Sequence, residues 1–267
     1  MADAELPAAA DSEFLSLASL AEFAPPVTEI RKHRIVGFDN RDARARPFNL
    51  LRTSFAKKLK EDGHRLIGIT SATPAAGKSF LSMNLASSLA RVVEEPIFLV
   101  DLDIRRASIA DEIGLEPDYG IESYLEGTID TLAGIGRRIE GTKLGIFPTI
   151  RRSRNTAELL AGERFAQMIS TLRDRSEASI ILFDLPPAFA NDDAMISLAQ
   201  LDGFVLVVDA GKTTRRHVQD VMAMLYPTPC IGTILNRYQG GLGDSYGYGY
   251  GGPNYGKYYE RAASDAE

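Results

Sequence analysis

Six short apolar runs punctuate the chain, at 66–70, 96–100, 145–147, 179–183, 203–208 and 231–235. Each is consistent with a buried strand. Between them the apolar spacing switches to three and four residues. Phe48, Leu51, Phe55 and Leu59 predict a helix over 47–59, and Leu81, Leu85 and Leu89, beside Ala86 and Ala90, predict one starting at Lys78. Leu159, Leu160, Phe165 and Met168 predict another over 156–172. Residues 107–139 read as helix mixed with loop. Apolar strands alternating with helices predict an α/β fold, a doubly wound and mostly parallel sheet.

Two regions fall outside this rhythm. Residues 1–30, rich in Ala, Glu and Asp and broken by Pro25-Pro26, read as a flexible segment. Within it Phe14, Leu15, Leu17, Leu20 and Phe23 predict a short amphipathic helix, packed on the domain or docking a partner. The domain proper is expected over 31–237. From 238 to 259 the chain holds seven of its ten tyrosines and eight glycines, which predicts a mobile tail over 238–267.

The join between the first strand and the helix at Lys78 carries candidate chemistry. Residues 71–77 are small and turn-like, and the loop closes on Gly77-Lys78-Ser79, the end of a GxxxxGK[ST] phosphate loop whose first glycine is replaced by Ala72. A loop at a helix N-terminus aims unpaired N–H groups at one point, where the helix dipole adds positive potential. Polyphosphate fits such a nest. Thr73, Pro74, Ala75, Ala76, Gly77, Lys78, Ser79 and Phe80 are therefore the candidate nucleotide cradle. Lys78 would reach the terminal phosphates, and the Ser79 hydroxyl would bind Mg²⁺. The bland alternative is an ordinary strand-to-helix turn. Two later strands end in carboxylates, one at Asp101 and Asp103 and the other at Asp184. Strand C-terminal ends are where such a sheet binds its ligands. These aspartates would serve a metal or accept a hydroxyl proton, although any one alone reads as a helix cap. Arg105 and Arg106 contact phosphate or are surface charges.

Composition narrows the class. A 267-residue chain with 45% apolar and 25% charged residues has room for one α/β domain and tails. Its single cysteine, Cys230, excludes a disulfide framework and is expected as a small core residue in a reducing cytoplasm. Three scattered histidines give no zinc pattern. No apolar run approaches the roughly 20 residues of a membrane helix, and no secretion signal is visible. A net charge of −6 argues against a nucleic-acid binder. The exception is 31–60, where ten basic residues face Asp39 and Asp42 alone; this face is solvated or lies against an anionic membrane or acidic neighbour.

Taken together, Ser71-Ala72-Thr73-Pro74 with Gly77-Lys78-Ser79, Asp101-x-Asp103-x-Arg105, Asp184-x-Pro186-Pro187 and the tyrosine tail resemble the bacterial tyrosine kinases of capsule and exopolysaccharide assembly. Leu51-Arg52-Thr53, the segment from Asn155 through Glu158, and Leu235-Asn236-Arg237 add to the likeness, which spans roughly 46–260. It implies a P-loop fold of the kind shared with MinD- and ParA-like ATPases, with ATP and Mg²⁺ as cofactors. It implies Lys78 on the phosphates, Ser79, Asp103 and Asp184 on the metal side, and Asp101 or Asp103 as the group that deprotonates tyrosine. The acceptors would be Tyr246, Tyr248, Tyr250, Tyr255, Tyr258 and Tyr259, modified in trans by a neighbouring copy. It further implies a stand-alone cytoplasmic kinase, brought to the inner membrane by a polysaccharide co-polymerase that activates it.

The chain departs from that family in two places. Ala75-Ala76 stands where the family commonly has Gly-Glu, and its ExxRxxR ring motif is reduced to Arg46-x-x-Asn49-x-x-Arg52. Two other readings of the same residues stay open. One is a MinD- or ParA-like ATPase, against which Thr73 stands in place of the signature lysine. The other is a nucleotide-sensing scaffold of the polysaccharide machinery.

Overall fold

The computed structural model describes residues 16–153, 155–175 and 179–239. Strand β1 (Ala21–Phe23) is followed by α1 (Val27–Lys32), α2 (Arg46–Asp62), β2 (Leu66–Ser71) and α3 (Lys78–Leu89). Next come β3 (Ile97–Asp101), α4 (Ile109–Ile113), α5 (Ile121–Leu125), β4 (Arg137–Ile139), β5 (Leu144–Phe147), α6 (Thr156–Ala161) and α7 (Glu163–Arg175). The chain then runs through β6 (Ile180–Asp184), α8 (Asp193–Leu198), β7 (Gly203–Asp209), α9 (Arg215–Met224) and β8 (Cys230–Asn236).

The strands form one sheet in the order β1-β4-β5-β3-β6-β2-β7-β8. All neighbours are parallel except β4 and β5. The central strands β2, β3 and β6 are buried throughout, which is why they read as unbroken apolar runs. Alternate residues feed two cores, one on each face. Phe98, Phe147 and Phe183 pack with Leu160, Phe165 and Met168 of α6 and α7. Ile67, Leu99 and Leu182 pack with Phe55 and Leu59 of α2 and Leu81 and Leu85 of α3. The sheet is thus covered on both faces, as the alternating pattern predicts.

Three local expectations change. Residues 17–23 do not form a helix; a 3-10 turn at Leu17–Ser19 leads into β1, which pairs with β4. Leu20 is drawn into the core because Gly136 and Gly145 leave room: a Cβ on either would crowd its methyls at 2.8 and 3.1 Å. The helix expected over 156–172 is two helices, since Gly162 takes extended backbone after α6. Cys230 is half-buried, because β8 is the edge strand, and its thiol donates to the Gly232 carbonyl at 3.3 Å.

The chain divides into two compact units, Met1–Asn236 and Arg237–Glu267. The first holds every element above. Of the second only residues 237–239 are described, so the candidate acceptors from Tyr246 to Tyr259 lie outside the described residues. Among the described residues no helix is long and apolar enough to cross a membrane.

Candidate nucleotide site

The site is built where β2, β3, β6 and β8 end. After β2 the chain turns through residues 72–77 into α3. Ser71 Oγ donates to the Thr73 carbonyl at 2.8 Å, and the Ser71 carbonyl accepts from the Ala188 N–H at 2.7 Å. The loop twice enters left-handed backbone, at Ala75 (φ +60°) and Gly77 (φ +92°). Gly77 is required there on two counts. Its φ favours glycine, and a Cβ would collide with the Asn236 side-chain amide. That amide, from the last residue of β8, donates to the Ala76 carbonyl at 2.8 Å and ties the loop to the sheet. Ala75 adopts the same region without glycine's freedom, at a cost of about 1 kcal/mol.

Helix α3 starts at Lys78 with no side chain capping its N-terminus. Its first N–H groups are therefore directed at whatever occupies the loop. Lys78 is only 2% exposed, and its Nζ lies 3.8 Å from Asp103 Oδ2. Ser79 Oγ accepts from Ser108 Oγ at 3.1 Å. Phe80 turns away and packs edge-on against Phe48 of α2, so only its backbone can serve the loop. Thr73, Pro74 and Ala75 form the rim, and Ala76 is buried.

The three predicted aspartates come together but differ in kind. Asp101 and Asp184 are register partners on adjacent strands. Asp101 is fully buried, its two oxygens accepting from the Asp103 and Ile109 N–H groups at 3.1 and 3.2 Å. Burial and then the Asp184 charge push its carboxyl well above the usual range. Asp184 accepts from Ser82 Oγ at 2.8 Å through one oxygen, while the other is buried with no partner. Burial raises it to about 6, against the pull of Lys78 and the Ser79 hydroxyl. Asp103, 4% exposed, is also raised by burial, with Lys78 and Arg106 opposing.

A magnesium nucleotide fits this donor set. Asp184 keeps one buried oxygen free of hydrogen bonds, Lys78 and the Ser79 hydroxyl both act on its carboxylate, and the open α3 N-terminus supplies anion donors. The sequence does not mark Ser108 or Asp193, and it marks Asn236 and Thr156 only as part of the family likeness, with no role at the site. Asp193 receives Arg105 Nε at 2.9 Å and Thr156 Oγ1 at 2.6 Å on one oxygen. Lone polar residues outside a recognised spacing carry no signal; only the fold brings them to the site.

No protein-family model matches the chain. The tyrosine-protein kinase CpsD of Streptococcus pneumoniae is 32% identical over 215 residues, covering 79% of this chain and 91% of CpsD. The succinoglycan biosynthesis transport protein ExoP of Rhizobium meliloti is 30% identical over 238 residues, covering 86% of this chain and 30% of ExoP. EpsB of Ralstonia nicotianae is 27% identical over 214 residues, which cover 78% of this chain; the chain spans only 27% of EpsB's length. Among solved structures, the kinase domain of the Escherichia coli tyrosine kinase ETK superposes with a TM-score of 0.70 at 26% identity, covering 81% of this chain and 84% of that domain. The septum-site-determining protein MinD of Pyrococcus horikoshii, complexed with Mg-ADP, shares the fold at a TM-score of 0.55 and 21% identity, covering 66% of this chain and 71% of MinD.

Proposed function

This chain belongs to the bacterial tyrosine-protein kinase family, and on that premise we propose that it transfers the γ-phosphoryl group of ATP to tyrosine. The observation that carries the reading is the buried pair of Lys78 and Asp103 at the mouth of the phosphate loop. Lys78 holds the terminal phosphates. Ser79 and Asp184, with its unpartnered oxygen, would hold Mg²⁺. The metal, when bound, neutralises the charge that gathers on the phosphates during transfer.

Asp103 is the better placed proton acceptor. Both oxygens of Asp101 are engaged by backbone N–H groups, so its role is to hold the loop that carries Asp103. A phenol ionises near pH ~10 and is a weak nucleophile at neutrality. Its proton passes to Asp103 as the phenol oxygen bonds phosphorus and the bond to the ADP oxygen breaks. Burial makes Asp103 a stronger base than a solvated carboxylate.

The acceptors in this reading are Tyr246, Tyr248, Tyr250, Tyr255, Tyr258 and Tyr259 of a neighbouring copy. Each phosphate adds ~1.5–2 negative charges, so a modified tail repels its neighbours. The likeness to ExoP and CpsD supports a role in controlling polysaccharide polymerisation and export, through a membrane co-polymerase that activates the kinase and holds it at the inner membrane. Mass spectrometry of the tail after incubation with Mg·ATP and the activator tests the activity. Wild type acquires phosphotyrosine within 246–259, and Lys78→Met does not. Unmodified tyrosines in the wild type would refute the kinase reading.

A further inference from the structure

Asp193 lies outside the phosphate loop and the strand-end aspartates, yet it is among the most heavily bonded carboxylates of the site. It is 2% exposed at the start of α8. One oxygen accepts from three side chains: Thr156 Oγ1 at 2.6 Å, Asn191 Nδ2 at 2.8 Å and Arg105 Nε at 2.9 Å. The donors come from the start of α6, the loop after β6 and the loop after β3. The other oxygen is buried without a partner. Among the described residues Arg105 is hydrogen-bonded at Nε alone, and its side chain stays 41% exposed.

Arg105 is the charged donor of the three, and Asp192 and Glu158 also act on it. Thr156 and Asn191 already join two of the three segments. Bonding at Nε fixes the plane of the guanidinium and leaves both Nη groups open, the edge that receives an oxyanion in paired hydrogen bonds. Asp103, two residues before Arg105 on the same loop, lies 3.8 Å from Lys78 Nζ. The loop that carries the fork thus also carries the partner of the phosphate lysine.

We infer that Asp193 is a positioning residue that holds Arg105 by Nε so that its free guanidinium edge contacts the phosphoryl group in transit. The inference rests on the kinase reading and names a further component of the same site. A donor aimed at charge that develops only in the transition state raises kcat without tightening ground-state binding.

The test uses the full-length protein with Arg105→Lys, Asp193→Asn and the double variant. Lysine keeps the charge but loses the fork, and asparagine keeps an acceptor oxygen in the same space. Each single variant is expected to lower kcat by about 10- to 100-fold with ADP affinity changed less than about two-fold. The double variant should be no worse than the poorer single one, since the residues act as one unit. Affinity for ADP with aluminium fluoride, which mimics the phosphoryl group in flight, should fall by about ten-fold in both singles. Melting temperatures check that the variants fold. Arg105→Lys with wild-type kcat and wild-type affinity for the fluoride complex overturns the inference, as do single effects that multiply in the double variant. A wild type that transfers no phosphate to tyrosine refutes the kinase reading alone, because the affinity for ADP with fluoride still tests the fork.

Discussion

The carboxylates at the strand ends influence a residue that no motif marks. Glu112 on α4 is half-buried, and its pKa is raised from 4.5 to about 7 by burial and then by the charge of Asp184, with Arg106 opposing and Asp111 adding. Between these values the folded protein retains a proton that the unfolded chain has released. Stability attributable to Glu112 is therefore complete below about pH 4.5 and falls as pH rises to about 7, by about 3 kcal/mol at most. Glu112→Gln removes that titration. Nucleotide-free Glu112→Gln should match the wild type near pH 4.5 and exceed it by ~1–3 kcal/mol at pH 8, read from urea unfolding at both pH values. Equal stabilities at pH 8 would show that the glutamate is solvated. At this scale Lys78, Ser79, Asp103 and Asp184 stood out as candidates because each sits at a spacing that chemistry prescribes, and the fold brings them near one another. Glu112 and Asp193 did not, and Asn236 stood out only within the family likeness, because their partners lie far off in sequence: Arg105 for Asp193, and Ala76 for Asn236.

Among the elements, α3 departs most from its sequence pattern. The leucines at 81, 85 and 89 mark one apolar face, yet the polar residues Ser82, Asn84, Ser87 and Ser88 are buried as well. A helix enclosed on all sides shows no clean stripe, so periodicity located it without showing what covers it. The cover is the segment before α2. Asn84 Oδ1 accepts from the Val36 and Gly37 N–H groups at 2.7 and 3.0 Å, and its Nδ2 donates to the Phe80 and Arg34 carbonyls at 2.9 and 3.3 Å. Gly37 must be glycine, since a Cβ would strike Ser87 Oγ and the Asn84 carbonyl. The contact anchors the helix that presents Lys78. Asn84→Ala leaves two buried N–H groups without an acceptor and is expected to cost ~2–4 kcal/mol in urea unfolding. A loss below 0.5 kcal/mol would mean that water reaches the segment. The strands were legible for the opposite reason, since burial on both faces makes an unbroken apolar run. Strand β1 was not, because three residues with Leu20 beside them match a helical spacing equally well, and only the space left by Gly136 and Gly145 decides the outcome.

At the scale of the molecule, the candidate site gathers at the C-terminal ends of β2, β3, β6 and β8, as an open parallel sheet requires. The likeness to MinD supports that fold alone. The proposed action between copies has further needs: an acceptor segment, and a catalytic body that stands without it. The last strand among the described residues ends at Asn236, where the first compact unit also ends. Ending the chain after Gln239 removes Tyr246 and all later tyrosines but leaves every strand paired. The shortened protein should melt within about 2 °C of full length, since the cut falls outside the first compact unit. Its affinity for Mg·ADP should be unchanged. Mixed with full-length Lys78→Met, which retains a tail but lacks the phosphate lysine, it should place phosphotyrosine on the variant's tail. Neither protein alone should be labelled at residues 246–259. If the mixture also stays unlabelled while full-length wild type labels itself, transfer runs within one chain, and the proposed action between copies fails without touching the chemistry of Lys78 and Asp103.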